Sequence, residues 1–192
     1  RRVIRALILS PTRELSAQIG ESIRDYSQHQ KLYHTVIFGG VKQGKQVAAL
    51  QRGVDIVVAT PGRLLDLIDQ GYIRLDHLEY FVLDEADTML DMGFMPQIRR
   101  VFLRMPDERQ NLLFSATLPQ EVESLVEDFL PGAERVQIGR RSESASTITH
   151  RFAAVSVSDK PDALERILSR EDGKVLVFCN KKIGCEKLGN ML

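Results

Sequence analysis

The sequence predicts an α/β protein built on a parallel, doubly wound sheet. Three observations carry that expectation. Short runs of β-branched and leucine residues occur without polar alternation, as in strands buried on both faces. Each run is followed by apolar residues at helical period. Unusual residues then gather just past the ends of the runs, where open parallel sheets place their functional groups. Strand–helix alternation of this kind builds a sheet layered between helices.

The elements follow in order. ALIL at 6–9 precedes a stripe of Leu15, Ile19, Ile23 and Tyr26. TVIF at 35–38 precedes Val47 and Leu50, and DIVVA at 55–59 precedes Leu64, Leu65 and Ile68. YFVL at 80–83 leads to Phe94, Ile98, Val101 and Phe102. NLLF at 111–114 leads to Val122, Leu125, Val126 and Phe129. The polar stretch GRRSESASTIT at 139–149 breaks this rhythm and reads as a linker. Beyond it, HRFAAVSV, KPDALERILS and KVLVFC read as strand, helix and strand of a second α/β unit. The expected organisation is therefore a first domain at 1–138, a linker at 139–149 and a second unit from 150 to 192. The chain opens into a strand without Met and stops within an amphipathic helix, which reads as a piece of something longer.

Bulk composition excludes several classes. Lys plus Arg and Asp plus Glu are 26 each in 192 residues. No global positive field draws in a polyanion, so any nucleic-acid contact is made by a few placed groups. The two cysteines, Cys179 and Cys185, are too few for a disulfide framework and lack the paired spacing of a zinc site. A reducing, cytoplasmic setting is expected. No apolar run has bilayer length, and no signal-peptide pattern opens the chain.

Five strand ends carry the chemistry. After YFVL come Asp84, Glu85, Ala86 and Asp87. Three carboxylates in four residues repel one another; a divalent cation would relieve this, and a neighbouring carboxylate could orient a water. An acidic helix N-terminus would show the same residues. After NLLF come Ser115, Ala116 and Thr117, whose hydroxyls could bridge to carboxylates or cap the helix near Pro119. After DIVVA come Thr60, Pro61, Gly62 and Arg63. Thr60 and Pro61 suit a helix start, but Gly62 costs about 1 kcal/mol there relative to Ala. A bare backbone lets a phosphate approach free N–H groups, with Arg63 adding charge. Pro11, Thr12 and Arg13 form a second helix start of similar design. Two such ends suggest a surface for successive phosphates of a polynucleotide.

The fifth junction, FGGVKQGKQ at 38–46, has the G-x-x-x-x-G-K spacing of a nucleotide-binding loop at Gly39, Gly44 and Lys45. The hydroxyl residue that would hold Mg²⁺ is replaced by Gln46. Gly39 and Gly40 nonetheless offer bare backbone after a strand.

Taken together, PTREL, GG, TPGR, DEAD and SAT resemble, in order and interval, the DEAD-box ATP-dependent RNA helicases of superfamily 2, the bacterial members most of all. VLDEADTMLDMGF at 82–94, RQNLLFSATLP at 109–119 and VLVFCN at 175–180 extend the resemblance over essentially the whole chain. It implies a RecA-like domain, a linker and the beginning of a second RecA-like domain. It implies ATP and Mg²⁺ as cofactors, Asp84 as the Mg²⁺ holder and Glu85 as the residue that positions the attacking water, both at the nucleotide. It also implies that Asp87, Ser115 and Thr117 couple hydrolysis to strand separation. Pro11, Thr12, Arg13, Gly39, Gly40, Thr60, Gly62 and Arg63 match the family's RNA-backbone grip, and Phe178 and Asn180 fall in its fourth motif. The phosphate-binding loop precedes PTREL in that family, which makes 38–46 a look-alike. Without that strand the sheet is expected to be interrupted and the chain marginally folded and inactive alone. A non-enzymatic RNA-binding module, a superfamily 2 DNA translocase and a kinase or GTPase using Gly39 to Lys45 are the alternatives.

Overall fold

A computed structural model describes residues 2–138, 148–149 and 151–191. The chain divides into two compact units, Arg1–Ser142 and Glu143–Leu192. Most of the expected linker, residues 139–147, lies outside the described residues.

The first unit alternates strand and helix. β1 (Ala6–Leu9), β2 (His34–Ile37), β3 (Ile56–Ala59), β4 (Tyr80–Leu83) and β5 (Gln110–Leu113) all pair in parallel, in the order β2-β3-β1-β4-β5. These are the five runs expected from the sequence. They pair without a gap, so the interruption expected within the sheet is not seen; the outer strands are β2 and β5. Between them run α1 (Arg13–Tyr26), α2 (Gly44–Arg52), α3 (Pro61–Asp69), α4 (Ala86–Asp91) and α5 (Met95–Phe102), with α6 (Gln120–Phe129) after β5.

The main core lies on one face of the sheet. The opposite face, with Ile8, Val36 and Val82, is only half-buried apart from Val58, so the burial on both faces expected from the runs is met only in part. Leu7, Leu9, Ile37, Val57, Phe81 and Leu83 are buried from the strands, and Leu64, Leu67, Ile98, Val101, Val122 and Leu125 meet them from the helices. Phe102 joins the layers, edge-on to Phe81 at 5.0 Å and stacked on Phe129 at 4.5 Å.

One residue departs from the stripe expected of α1, whose Leu15, Ile19 and Ile23 are half-buried. Tyr26 is exposed, while Ser16 and Gly20 are the buried residues of α1. A Cβ on Gly20 would lie 2.4 Å from Val36 Cγ2, so the helix rides on β2 through a residue without a side chain. Close backbone approach at Gly20 and the half-buried stripe beside it together set its position.

The second unit has α7 (Lys160–Leu168) and α8 (Lys182–Gly189), neither with a buried residue. The strands expected at 150–157 and 174–179 are not formed among the described residues. A strand exists only by pairing. These segments have no ladder partner, and Phe152 and Phe178 stand exposed.

Candidate nucleic-acid interface and acidic motif

Register places the site. Ile37, Ala59, Leu9, Leu83 and Leu113 are matched across the sheet, so all five strands end in one row. The ladder then continues one residue further. Thr60 N donates to Ile37 O at 3.1 Å, Ser10 N to Ala59 O at 3.0 Å, Asp84 N to Leu9 O at 2.9 Å and Phe114 N to Leu83 O at 2.8 Å. Each functional loop thus leaves the sheet from a fixed point. Strand order sorts them: the loops after β2, β3 and β1 are neighbours, and those after β4 and β5 adjoin on the other side. The switch point lies between β1 and β4: from β1 the chain runs to the β2 edge, and from β4 it runs to the β5 edge.

On the first side, Pro11–Glu14, Gly39, Thr60, Gly62 and Arg63 line one open pocket of about 550 Å³, bordered also by Asp66, Met92 and Phe94. Thr12 caps α1, its Oγ1 accepting from Leu15 N at 3.2 Å, with free N–H groups beside it. Ser16 Oγ donates to Thr12 O at 2.8 Å and lies 2.6 Å from Ser10 Oγ, both serines buried. Thr60 stands at the α3 N-cap before Pro61 but makes no capping bond through its side chain.

The two arginines differ. Arg13 makes no hydrogen bond or ion pair among the described residues. Its guanidinium lies where a Cβ on Gly40 would be, 2.1 Å from Nη2, and Gly40 has φ +75°. Arg63 is only 12% exposed through its side chain. It donates to Gln46 Oε1 and Val41 O, each at 3.2 Å, and pairs with Asp66 at 3.5 Å. Arg13 is therefore available to an anion, whereas Arg63 also braces the double-glycine loop.

That loop does not stand open as a nucleotide cradle. Gln46 is buried and donates to Phe38 O at 3.1 Å. The side chain that replaces the expected hydroxyl fastens the loop to α2.

On the other side, Glu85 occupies the left-handed region, φ 53° and ψ 56°, the only non-glycine residue described with positive φ. Such backbone costs about 1–2 kcal/mol and collects at functional sites. Neither Asp84 nor Glu85 has a side-chain partner among the described residues. No group of three or more His, Cys, Asp or Glu that could hold a metal occurs among those residues. A hard cation that keeps waters and phosphate oxygens needs only one or two carboxylates, and this pair fits that requirement.

Asp87 is engaged instead. Its Oδ2 accepts from Thr117 N and Thr117 Oγ1, both at 2.8 Å, and its Oδ1 from Thr88 N at 3.0 Å. Its own N–H donates to Ser115 Oγ at 3.1 Å. Burial opposes the charged form, but the Thr117 hydroxyl and amide, Ser115 and the Thr88 amide outweigh it and hold the carboxyl below its ordinary value. α6 begins only at Gln120, so Ser115 and Thr117 face the acidic motif rather than cap that helix. A second cavity, about 820 Å³, lies between Leu113–Pro119 and 133–138.

Phe178 and Asn180 lie in the second unit, both exposed, just before α8. Sequence reasoning missed Gln46, Asp66, Met92 and Phe94. Gln46 had a signal: it falls four residues before buried Leu50, on the inward stripe of α2.

Fold and site together define a parallel α/β domain of the RecA-like class, with its functional loops in a row. A profile of the DEAD/DEAH box helicase family matches residues 1–125. Similar curated proteins include DEAD-box ATP-dependent RNA helicase 40 of rice, 44% identical over 97% of this chain and 24% of its own length. ATP-dependent RNA helicase DBP2 of Vanderwaltozyma polyspora is 42% identical over 97% of this chain and 43% of its own length. A DEAD box protein of the hyperthermophile Methanococcus jannaschii superposes with TM-score 0.68 at 34% identity, over all of this chain and 51% of that one. The chain belongs to the DEAD/DEAH box helicase family. It spans about a quarter to two fifths of the length of these curated relatives.

Proposed function

We propose that this chain is the part of an ATP-dependent RNA helicase that grips the RNA backbone and carries the acidic hydrolysis motif. The observation that supports this best is the sorting of the row. Three loops, two of them bearing glycine, line one open pocket at the ends of β2, β3 and β1, and Asp84 and Glu85 leave the sheet from β4 on the other side of β1. On this reading, residues 1–138 belong to the ATP-binding domain, 139–149 to a linker, and 150–192 to the beginning of the C-terminal RecA-like domain, where Phe178 and Asn180 contribute. The two free thiols, Cys179 and Cys185, favour the reducing cytoplasm.

Asp84 would hold Mg²⁺, which supplies charge neutralisation for the phosphates of ATP. Glu85, extended into solvent from a strained turn, would orient a water and take its proton. Pro11, Thr12, Arg13, Gly39, Gly40, Thr60, Gly62 and Arg63 would hold successive RNA phosphates. N–H groups and guanidinium read no base edges, so binding should show little sequence preference and fall steeply with salt. Asp87, Ser115 and Thr117 would tie the acidic motif to strand separation. This chain alone would bind RNA without hydrolysing ATP.

The test is a comparison of the complete protein encoded by the gene with its Glu85→Gln variant. RNA-stimulated ATP hydrolysis should vanish while ATP and RNA are still bound. Stimulation by single-stranded DNA equal to that by RNA would instead point to a DNA translocase.

A further inference from the structure

Gln46 is buried at 8% exposure on the inward stripe of α2, where packing alone would favour an apolar side chain. Burying an amide is unfavourable unless its donor and acceptor are both satisfied. Here each is, one by a loop and the other by a neighbouring helix. Nε2 donates to Phe38 O at 3.1 Å, and Oε1 accepts from Arg63 Nη1 at 3.2 Å. The chain of contacts continues. Arg63 reaches Asp66, Asp66 accepts from Gln70 at 2.8 Å, and the amides of Gln70 and Gln43 exchange bonds at 2.8 and 3.3 Å. Gln43 is the N-cap residue of α2, so the ring closes on the helix that carries Gln46.

We propose that Gln46 is the positioning residue of the RNA grip: it locks the double-glycine loop and Arg63 to one helix, so that both reach the cavity in a fixed relation. The inference rests on the RNA-backbone reading above and deepens it. A trans peptide points its C=O and N–H in opposite directions. Tying Phe38 O to Gln46 therefore turns the Gly39 N–H away from the helix, at a residue that lines the cavity. The bond from Arg63 fixes that guanidinium while leaving an N–H unspent on each terminal nitrogen, since Gln46 and Val41 take one from each and Asp66 pairs at Nε. Preorganised donors lose less freedom when they meet a phosphate. The side chain that spoils the nucleotide-loop pattern thus serves the other ligand.

The experiment uses the complete protein, a fluorescein-labelled oligouridylate and hydrogen exchange over residues 38–43. Gln46→Met keeps length and volume but removes donor and acceptor. Oligouridylate affinity should fall about fivefold to thirtyfold, the equivalent of one or two buried hydrogen bonds. Exchange at Gly39 and Gly40 should quicken. In an Arg63→Ala background the same substitution should lose much of its effect on affinity, a non-additivity that simple core filling does not produce. If Gln46→Met does not fold, Gln46→Glu keeps the acceptor for Arg63 and removes the donor to Phe38, so loop exchange should still quicken. Wild-type affinity and exchange in whichever variant folds would overturn the positioning role alone. No binding of oligouridylate by the wild-type protein would overturn the functional reading, and the role of Gln46 with it.

Discussion

Replacing Ser115 and Thr117 together with Ala should weaken, without abolishing, the set of contacts that keeps Asp87 charged, since the Thr117 and Thr88 amides remain. Two side-chain bonds go: Thr117 Oγ1 to Asp87 Oδ2 at 2.8 Å, and Asp87 N to Ser115 Oγ at 3.1 Å. A bond to a charged group contributes about 1.5–3 kcal/mol when shielded, but Thr117 is exposed, and water cuts this to below about 1. The neutral Ser115 bond adds about 0.5–1.5 kcal/mol, for a total near 1–2 kcal/mol at neutral pH. With a urea slope of about 1–3 kcal/mol/M, the midpoint should fall by roughly half to one molar. The pH dependence gives a sharper check. The folded carboxyl lies below its ordinary value, so its stabilisation is present above the unfolded value and fades as pH falls through the folded one. The difference between wild type and variant should therefore shrink below about pH 4. A carboxyl NMR titration should show the Asp87 midpoint moving up in the variant. An unmoved midpoint, or a stability loss equal at every pH, would refute this account. In the complete protein the same pair should impair unwinding more than RNA-stimulated hydrolysis. A parallel fall in both would make the hydroxyls structural.

Three more outcomes are expected. Glu85→Gly should raise the unfolding midpoint, with a gain of up to about 1 kcal/mol from relieved left-handed backbone, while abolishing hydrolysis in the complete protein; a loss of stability would mean the turn is not strained. Gly20→Ala should destabilise the chain by about 1–3 kcal/mol, measured by urea unfolding, because its Cβ would meet Val36 at 2.4 Å; wild-type stability would show that α1 is free to shift. Binding to oligouridylate by the complete protein should weaken linearly in log salt, and Arg13→Ala should reduce that slope by about one; an unchanged slope would remove Arg13 from the phosphate contacts.

The strands were legible because their composition is unambiguous. All five apolar runs became strands of the one sheet, and the motif at the end of each became a loop on its C-terminal row. Strand order was not legible, since pairing joins residues far apart in the chain. The face of α1 was legible from Leu15, Ile19 and Ile23, although Tyr26 falls outside it. Ser16 and Gly20 carry no hydrophobic signal, yet close approach to β2 makes them the most buried residues of the helix. Ser115 and Thr117 looked like helix caps because local chemistry offers that use. Their partner, Asp87, stands about 30 residues earlier and meets them only through β4 and β5 pairing. The runs at 150–157 and 174–179 had strand composition, yet without a neighbour to bond they remain irregular among the described residues. Propensity proposes a strand; pairing makes it.

The glycines of the interface show what coordinates add to a motif. In sequence, Gly39, Gly40 and Gly62 are alike, each a bare backbone after a strand. Their surroundings separate them. A Cβ on Gly40 would strike the Arg13 guanidinium, and its φ of +75° resists any side chain, so the fold itself requires glycine there. A Cβ on Gly39 or Gly62 would meet nothing within 4 Å. Packing gives no reason for glycine at those two positions, and at Gly62 a helix start would be steadier with Ala. Both line the same cavity. On the proposed reading, a phosphate seated against backbone N–H groups is what would favour glycine there. Gly62→Ala should accordingly leave stability equal or slightly higher and still weaken oligouridylate binding. Urea unfolding and fluorescence anisotropy would read the two effects separately. Lost stability with retained binding would make Gly62 a folding residue after all.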